Sequence, residues 1–422
     1  MEASFWSALR SLVIDAVNLT SHTYFAILNM TDVDDGKWRS ELKAWVTWAA
    51  SSADDLADAG IRRMRKRLGR AGVPKIQPYM GYATKDRIRV HGRVLTNPPL
   101  DPDFSKDDWL QNLIDTARRF ASDEVPGVTV VANAQGTVGT SVSDVEGYFH
   151  IDLPRKSKRS EELLWSAAEL RIQQGSADAE QSAAFGEVMY TPPHAAYGII
   201  SDVDDTILHT GATDVTTMAK LTLFGNARTR APLDGVAELY RLMQHGGDLQ
   251  QPHTNPIFYV SSSPWNLYDL LEDFLELNAI PKGPLLLRDL GFDANKFLKS
   301  GHDHKLDKVR NLMNLFDTLP FVLFGDSGQD DPRLYAMAAE EFGERIKMIF
   351  IRDIDPDVTS DHDAKVAAYV KRSEAAGVPL FLIRDSNQAA EIAVRHGLLP
   401  ADVLNSIAEA TRRDENRKRG IL

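Results

Sequence analysis

Apolar positions along the chain follow three different rhythms. Up to about residue 72 they recur at intervals of three and four, as in Trp38, Leu42, Trp45, Val46 and Ala49, and again in Leu56, Ile61, Met64 and Leu68. That is the spacing of a buried helix face. The first turns read the same way, with Phe5, Trp6, Leu9, Val13 and Ala16 on one side. Glu2 and Asp15 stand where a secretion signal would be basic and then apolar, so an amphipathic helix is expected there and not a targeting segment. Gly69, Gly72 and Pro74 close this helical segment, assigned to residues 1–75.

From Pro74 the period changes to two. In RIRVHGRVL, Ile88, Val90 and Val94 alternate with Arg87, Arg89, His91 and Arg93; Phe149, Ile151 and Leu153 alternate behind a turn at 145–147. The pattern predicts a small antiparallel, β-sandwich-like module over 76–194. A helical insert is expected around Trp109 to Phe120, and an exposed loop in the polar stretch 155–162. The module shows no site of its own and is expected to serve for docking or oligomerisation.

After Tyr197 short apolar runs alternate with amphipathic helices, the signature of an α/β domain with a parallel sheet. Strands are expected at 197–201, 257–261, 321–325, 348–351 and 380–383, with helices at 234–245, 265–277, 304–317 and 386–396. This domain is assigned to 195–400 and a C-terminal helix and basic tail to 401–422. Ligands of such sheets bind beyond the carboxyl ends of the strands, which is where the candidate chemistry falls.

Composition narrows the possibilities. The 422 residues contain 43% hydrophobic and 26% charged side chains, ordinary for a globular protein. No run of about 18 apolar residues suits a membrane span. Zero cysteines exclude disulfides and thiolate chemistry, favour a reducing, cytoplasmic setting, and leave oxygen or imidazole to hold any metal. The net charge of −12 argues against a nucleic-acid partner. It conceals two basic stretches, one with six basic and no acidic side chains at 62–70, the other with five basic and two acidic at 412–419.

The first parallel strand runs into Asp202-Val203-Asp204-Asp205-Thr206. In extended chain Asp202 and Asp204 face the same side, where one carboxylate can attack phosphorus while the other handles a proton. DVDDG at 32–36 repeats part of this pattern, but no apolar strand precedes it and Gly36 replaces the threonine, so it reads as a turn. The second strand ends in Ser261-Ser262-Ser263-Pro264. Ser261 is expected to point at a ligand, and Ser262 or Ser263 to cap the next helix with Pro264 in its first position. The third ends in Gly325-Asp326, followed by Asp330, Asp331 and Pro332. Carboxylates gathered in one place repel without a cation, and an all-oxygen set points to Mg²⁺. Lys305, near a helix start, is better placed than Lys308 to neutralise a phosphoryl group. His302 and His304 have no matching histidine pair elsewhere, and a metal role is not expected of them.

In this order the four elements resemble the motifs of the haloacid dehalogenase-like phosphatase superfamily. That implies a Rossmannoid parallel sheet with helices on both faces and an aspartyl-phosphate mechanism. Asp202 would be the nucleophile and Asp204 the general acid and then base. Ser261 and Lys305 would hold the phosphoryl group, and Mg²⁺ would sit on Asp202, the Asp204 carbonyl and Asp326. SDVDDTI, FYVSSSPWNLYDLL, LLLRD, the HK at 304–305 and GDSGQDDP further resemble the phosphatidate phosphatase catalytic-domain family typified by a fungal actin-patch protein. Likeness to its bacterial members extends upstream through GYATKDRIRVHGRVL and DVEGYFHIDLP. In that family's GDSGQxDP pattern the second acidic position maps to Asp331, although plain GDxxxD spacing would choose Asp330. The resemblance also implies that Thr206, Ser262 and Arg288 contact the substrate.

A lipid substrate gains support from chain lengths. Neither Thr206 to Ile257 nor Ser263 to Lys305 is long enough for a full lid, so an open site is expected. The segment 218–230 and the basic stretch 61–70 mix apolar and basic residues and are candidates for peripheral contact with an anionic membrane. The leading expectation is therefore a Mg²⁺-dependent phosphatidate phosphatase-like enzyme acting on a phospholipid or other phosphomonoester. The alternatives are a phosphatase for an exposed phosphoprotein or sugar phosphate, and a non-catalytic membrane-associated binding protein.

Overall fold

The computed structural model describes residues 73–96, 124–156, 164–173, 183–204, 206–207, 232–248, 255–288, 303–354 and 361–419. All belong to one unit, Gly72–Leu422. The expected N-terminal helices, the basic stretch at 61–70, the expected helical insert at 109–120, most of the polar stretch 155–162, the segment 218–230 and His302 lie outside these residues.

The first seven strands are β1 (Lys75–Ala83), β2 (Arg87–Leu95), β3 (Thr129–Ala134), β4 (Thr137–Val142), β5 (Tyr148–Pro154), β6 (Trp165–Ile172) and β7 (Ala184–Tyr190). They form a single sheet in the order β4-β3-β6-β7-β1-β2-β5. The sheet curls until β4 and β5 meet, with Gly139 of β4 facing Ile151 and Leu153 of β5. A nearly closed sheet thus replaces the expected sandwich, and β1 pairs with β7 in parallel. Ile88, Val90, Val94, Phe149, Ile151 and Leu153 fill its interior, as the period-two pattern requires.

The second sheet is wholly parallel among β8 (Gly198–Asp202), β9 (Ile257–Pro264), β10 (Leu285–Arg288), β11 (Phe321–Asp326), β12 (Ile346–Arg352) and β13 (Leu380–Ile383). Its order is β10-β9-β8-β11-β12-β13. One face buries Ile199, Tyr259, Val322, Phe324 and Phe350 against α1 (Val236–Gln244), α2 (Tyr268–Leu277), α6 (Ser386–Arg395) and α7 (Leu404–Arg419). The other buries Ile200, Phe258, Leu323, Ile349 and Ile351 against α3 (Asp303–Leu315), α4 (Asp331–Phe342) and α5 (Asp361–Ala375). Burial on both faces is why these strands read as unbroken apolar runs.

Strand order reverses between β8 and β11. In an open parallel sheet the connections diverge at such a point and leave a crevice beyond the carboxyl ends. Asp202 is the last residue of β8 and Asp326 the last of β11. The two acids therefore belong to the strands themselves, which run one residue further than the apolar pattern predicts.

Candidate active site

Three carboxylates meet at this crevice. Asp202, Asp326 and Asp331 each offer an oxygen within 4.8 Å of the others, and all three are fully buried. Asp202 and Asp326 arrive on neighbouring strand ends and Asp331 on the first turn of α4. Gly325 makes the last approach possible, since a Cβ there would lie 2.7 Å from the Asp331 Oδ2. The loop after β11 wraps around Asp326, whose Oδ1 accepts from the backbone N–H of Gly328 at 2.8 Å and of Gln329 at 3.0 Å.

Lys305, 1% exposed, reaches into this group from the first turn of α3. Its Nζ lies 2.7 Å from the Asp202 Oδ1 and 2.9 Å from the Asp331 Oδ1, and donates to the Gln329 Oε1 at 3.1 Å. Burial alone would favour the neutral amine, but Asp202, Asp331 and Asp326 outweigh it and hold Lys305 above the ordinary lysine range. At Asp202 burial pushes the carboxyl well up, Lys305 opposes it, and Asp331, Asp204 and Asp326 add to the rise. We assign the pair as ionised because the 2.7 Å contact joins an ammonium that three carboxylates keep charged. One ammonium against three carboxylates leaves an excess of negative charge. The all-oxygen donor set can hold a hard divalent cation, and no histidine belongs to it among the described residues.

The carboxylate of Asp204 stands apart from this group. It is buried, and its Oδ2 accepts from the Ser261 hydroxyl at 3.3 Å. The Ser261 Oγ in turn accepts from the Ser263 N–H at 2.9 Å, and the Ser261 carbonyl accepts from the Lys308 Nζ at 3.0 Å. Neither Ser262 nor Ser263 caps the next helix. Strand β9 continues to Pro264, a short 3₁₀ turn covers Trp265–Leu267, and Leu267 precedes α2 without a side-chain cap. Extended backbone through Pro264 carries the serines past the point where a cap would form. The hydroxyls of Ser262, Ser263 and Thr206 are buried and make no hydrogen bond among the described residues.

The structure thus brings Asp202, Asp326, Asp331 and Lys305 into mutual contact and pairs Ser261 with Asp204. Arg288, the last residue of β10, is partly buried and stands in register with Pro264 on the next strand. Asp330 turns outward, 43% exposed, and pairs with Arg333 at 3.0 Å. Gln329 and Lys308 are additional members that sequence reasoning did not select. Gln329 sits inside the GDSGQDDP loop and Lys308 lies one turn beyond Lys305 on the same helix face, so both carried a signal.

Comparison with known proteins finds likenesses to this region. A protein-family model described as "Phosphatidate phosphatase APP1, catalytic domain" matches residues 197–353. Phosphatidate phosphatase APP1 of Saccharomyces cerevisiae is 31% identical over 183 residues, which cover 42% of this chain and 29% of the yeast protein. An uncharacterized protein of Schizosaccharomyces pombe is 28% identical over 217 residues, covering 51% of this chain and 34% of that one. The alignments thus span about a third of these relatives. Among solved structures, a carbohydrate acetylesterase from Xanthomonas citri aligns over 77% of this chain and 75% of its own at 11% identity. Its TM-score of 0.29 is too low to carry any conclusion.

Proposed function

We propose that the chain belongs, through residues 197–353, to the catalytic-domain family of phosphatidate phosphatase APP1, and that it hydrolyses a phosphomonoester of the phosphatidate type through Asp202. The observation that carries this reading is the buried Asp202-Lys305-Asp331 arrangement beside Asp326 at the switch point, with the Ser261-Asp204 pair on the adjoining strand.

The chemistry has two halves. In the first, a carboxylate oxygen of Asp202 attacks phosphorus and the bond from phosphorus to the leaving oxygen breaks. Asp204 gives its proton to that oxygen, releasing an alcohol and leaving an acyl phosphate on Asp202. In the second, Asp204 takes a proton from water as the water oxygen attacks phosphorus, which frees Asp202 and inorganic phosphate. The Ser261 hydroxyl and the Lys305 ammonium would hold phosphoryl oxygens, with Thr206, Ser262 and Arg288 disposed around the substrate. Asp202, Asp326 and Asp331, together with the Asp204 carbonyl, would hold Mg²⁺, which when bound offsets the charge that builds on the phosphoryl oxygens.

A phospholipid substrate is supported by the likeness to the yeast phosphatidate phosphatase and by the short segments between the first three motifs. No helix among the described residues is long and apolar enough to cross a membrane. The basic stretches at 62–70 and 412–419 offer peripheral contact with an anionic surface instead. The test is phosphate release, with Mg²⁺, from dispersed phosphatidate, a phosphopeptide and an aryl phosphate. Wild type is expected to release phosphate from phosphatidate and the aryl ester, and Asp202→Asn from neither. Full activity in Asp202→Asn would sink the mechanism, and activity on the aryl phosphate alone would remove the lipid assignment.

A further inference from the structure

The seven-stranded sheet has no part in the chemistry just described, yet its β1–β2 pair packs on the segment that follows Ser261. The Trp265 ring stacks on Tyr79, centroids 4.7 Å apart and planes 16° apart, and meets His91 edge-on at 5.6 Å. Arg93 donates from Nη1 to the Asn266 Oδ1 at 3.4 Å. The Met80 N–H donates to the Tyr268 hydroxyl at 2.8 Å, and the Tyr268 ring lies 4.3 Å from Tyr79. These ties fall on Trp265, Asn266 and Tyr268, in a 3₁₀ turn and helix start that have no side-chain cap of their own.

Arg93 is itself held rigidly. Its Nε donates to the Glu146 carbonyl at 2.8 Å, its Nη2 pairs with Glu124 at 2.9 Å, and its guanidinium lies over the Tyr148 ring at 4.5 Å. Only 6% of the side chain is exposed. A planar, multiply bonded guanidinium of this kind fixes a position as well as supplying charge. The sheet is anchored independently near the other end of the strands, where Tyr82 packs on Phe258 and Phe316 and Lys85 pairs with Asp317 at 2.9 Å.

We propose that the β1–β2 face belongs to the active site. In this arrangement Tyr79, His91 and Arg93 are positioning residues that hold the Ser261–Asn266 segment, so that the sheet sets the affinity of the site for a phosphoryl group. The inference rests on the reading of Ser261 as a phosphoryl contact. Ser261 lies four residues before Trp265, on the strand that runs directly into the 3₁₀ turn, and its Oγ takes the Ser263 N–H. Freeing Trp265 and Asn266 loosens the strand end from which Ser261 reaches its ligand. A misplacement of about 1 Å is enough to weaken such a contact.

The experiment uses the full chain as wild type, Tyr79→Ala, Arg93→Ala, Tyr79→Phe and Lys85→Ala. KM and kcat are measured for an aryl phosphate with Mg²⁺, and the Kd for inorganic phosphate by calorimetry. Tyr79→Ala and Arg93→Ala are expected to raise both KM and the phosphate Kd about tenfold, with kcat changing less. Tyr79→Phe keeps the ring that stacks on Trp265 and is expected to restore both constants. Lys85→Ala, at the remote contact, should alter neither. Unchanged KM and Kd in the two alanine variants, with only the melting temperature lowered, would leave the β1–β2 face a merely structural contact and overturn the proposal while hydrolysis stands. If wild type binds phosphate but hydrolyses no ester, and the variants weaken that binding, the catalytic reading fails and the positioning role survives. Failure of wild type to bind phosphate overturns both.

Discussion

Lys305 is the residue on which the acidic group depends. Its ammonium is buried between Asp202 and Asp331, each less than 3 Å away, with Asp326 beside them. Removing one partner of a buried ion pair leaves an uncompensated charge, which costs about 3–5 kcal/mol. Lys305→Met is therefore expected to destabilise the metal-free protein by about 3 kcal/mol or more in urea unfolding, and to abolish phosphate release. Adding Asp331→Asn to that background removes one of the stranded carboxylates and should recover part of the lost stability, without activity. Wild-type stability in Lys305→Met would mean that the carboxylates are protonated in the native state and would undo the ion-pair assignment. Single residues also show what the sequence conveyed. Asp202, Asp326 and Lys305 were legible because each stands at the end of an apolar run or the start of a helix. Choosing Asp331 over Asp330 needed a family pattern, because the two are adjacent acids and only the close packing of Gly325 against Asp331 separates them physically.

At the level of elements, the runs that became β8, β9, β11, β12 and β13 are readable because strands buried on both faces must be continuously apolar. Strand β10 is only four residues long and carries too little pattern to stand out. Strand β2 misleads in an instructive way. Its alternation separates Ile88, Val90 and Val94 from Arg89, His91 and Arg93, as expected of a sheet with one wet face, yet His91 and Arg93 are buried as well. Their face meets Trp265 and Asn266, a contact that the local sequence does not encode. Burial of His91, with His150 and Arg89 nearby, lowers its pKa from the ordinary 6.5 to about 3, Asp152 opposing weakly. Between those values the unfolded chain takes up a proton that the native protein refuses, so stability falls as pH drops. From pH 7 to pH 5 this one group should cost about 2 kcal/mol. The loss is expected to be smaller by about that amount in His91→Phe than in wild type when urea unfolding is compared at the two pH values. Equal losses in the two proteins would show that His91 is protonated in the native state.

The molecule as a whole is acidic, with a net charge of −12, and it concentrates buried like charges where β8, β11 and α4 converge. Such an arrangement persists because the rest of the fold holds it, and it gains most from a cation that binds the native state alone. A ligand of that kind stabilises in proportion to RT ln(1 + [L]/Kd), about 2.7 kcal/mol at a hundred times Kd. Adding Mg²⁺ to chelator-treated protein is therefore expected to raise the melting temperature progressively with concentration, and excess chelator should reverse the rise. Asp326→Asn tests where the ion sits. The amide oxygen can still accept from Gly328 and Gln329, which preserves the loop, while one negative charge is removed from the group. In this variant the Mg²⁺-dependent rise should largely disappear, and stability without metal should fall little or increase, because repulsion among the remaining carboxylates is relieved. An undiminished rise would place the stabilising ion elsewhere on the acidic surface. Measuring both proteins with phosphate also present separates the two contributions, since a phosphoryl group held by Ser261 and Lys305 adds its own stabilisation only if those side chains remain in place.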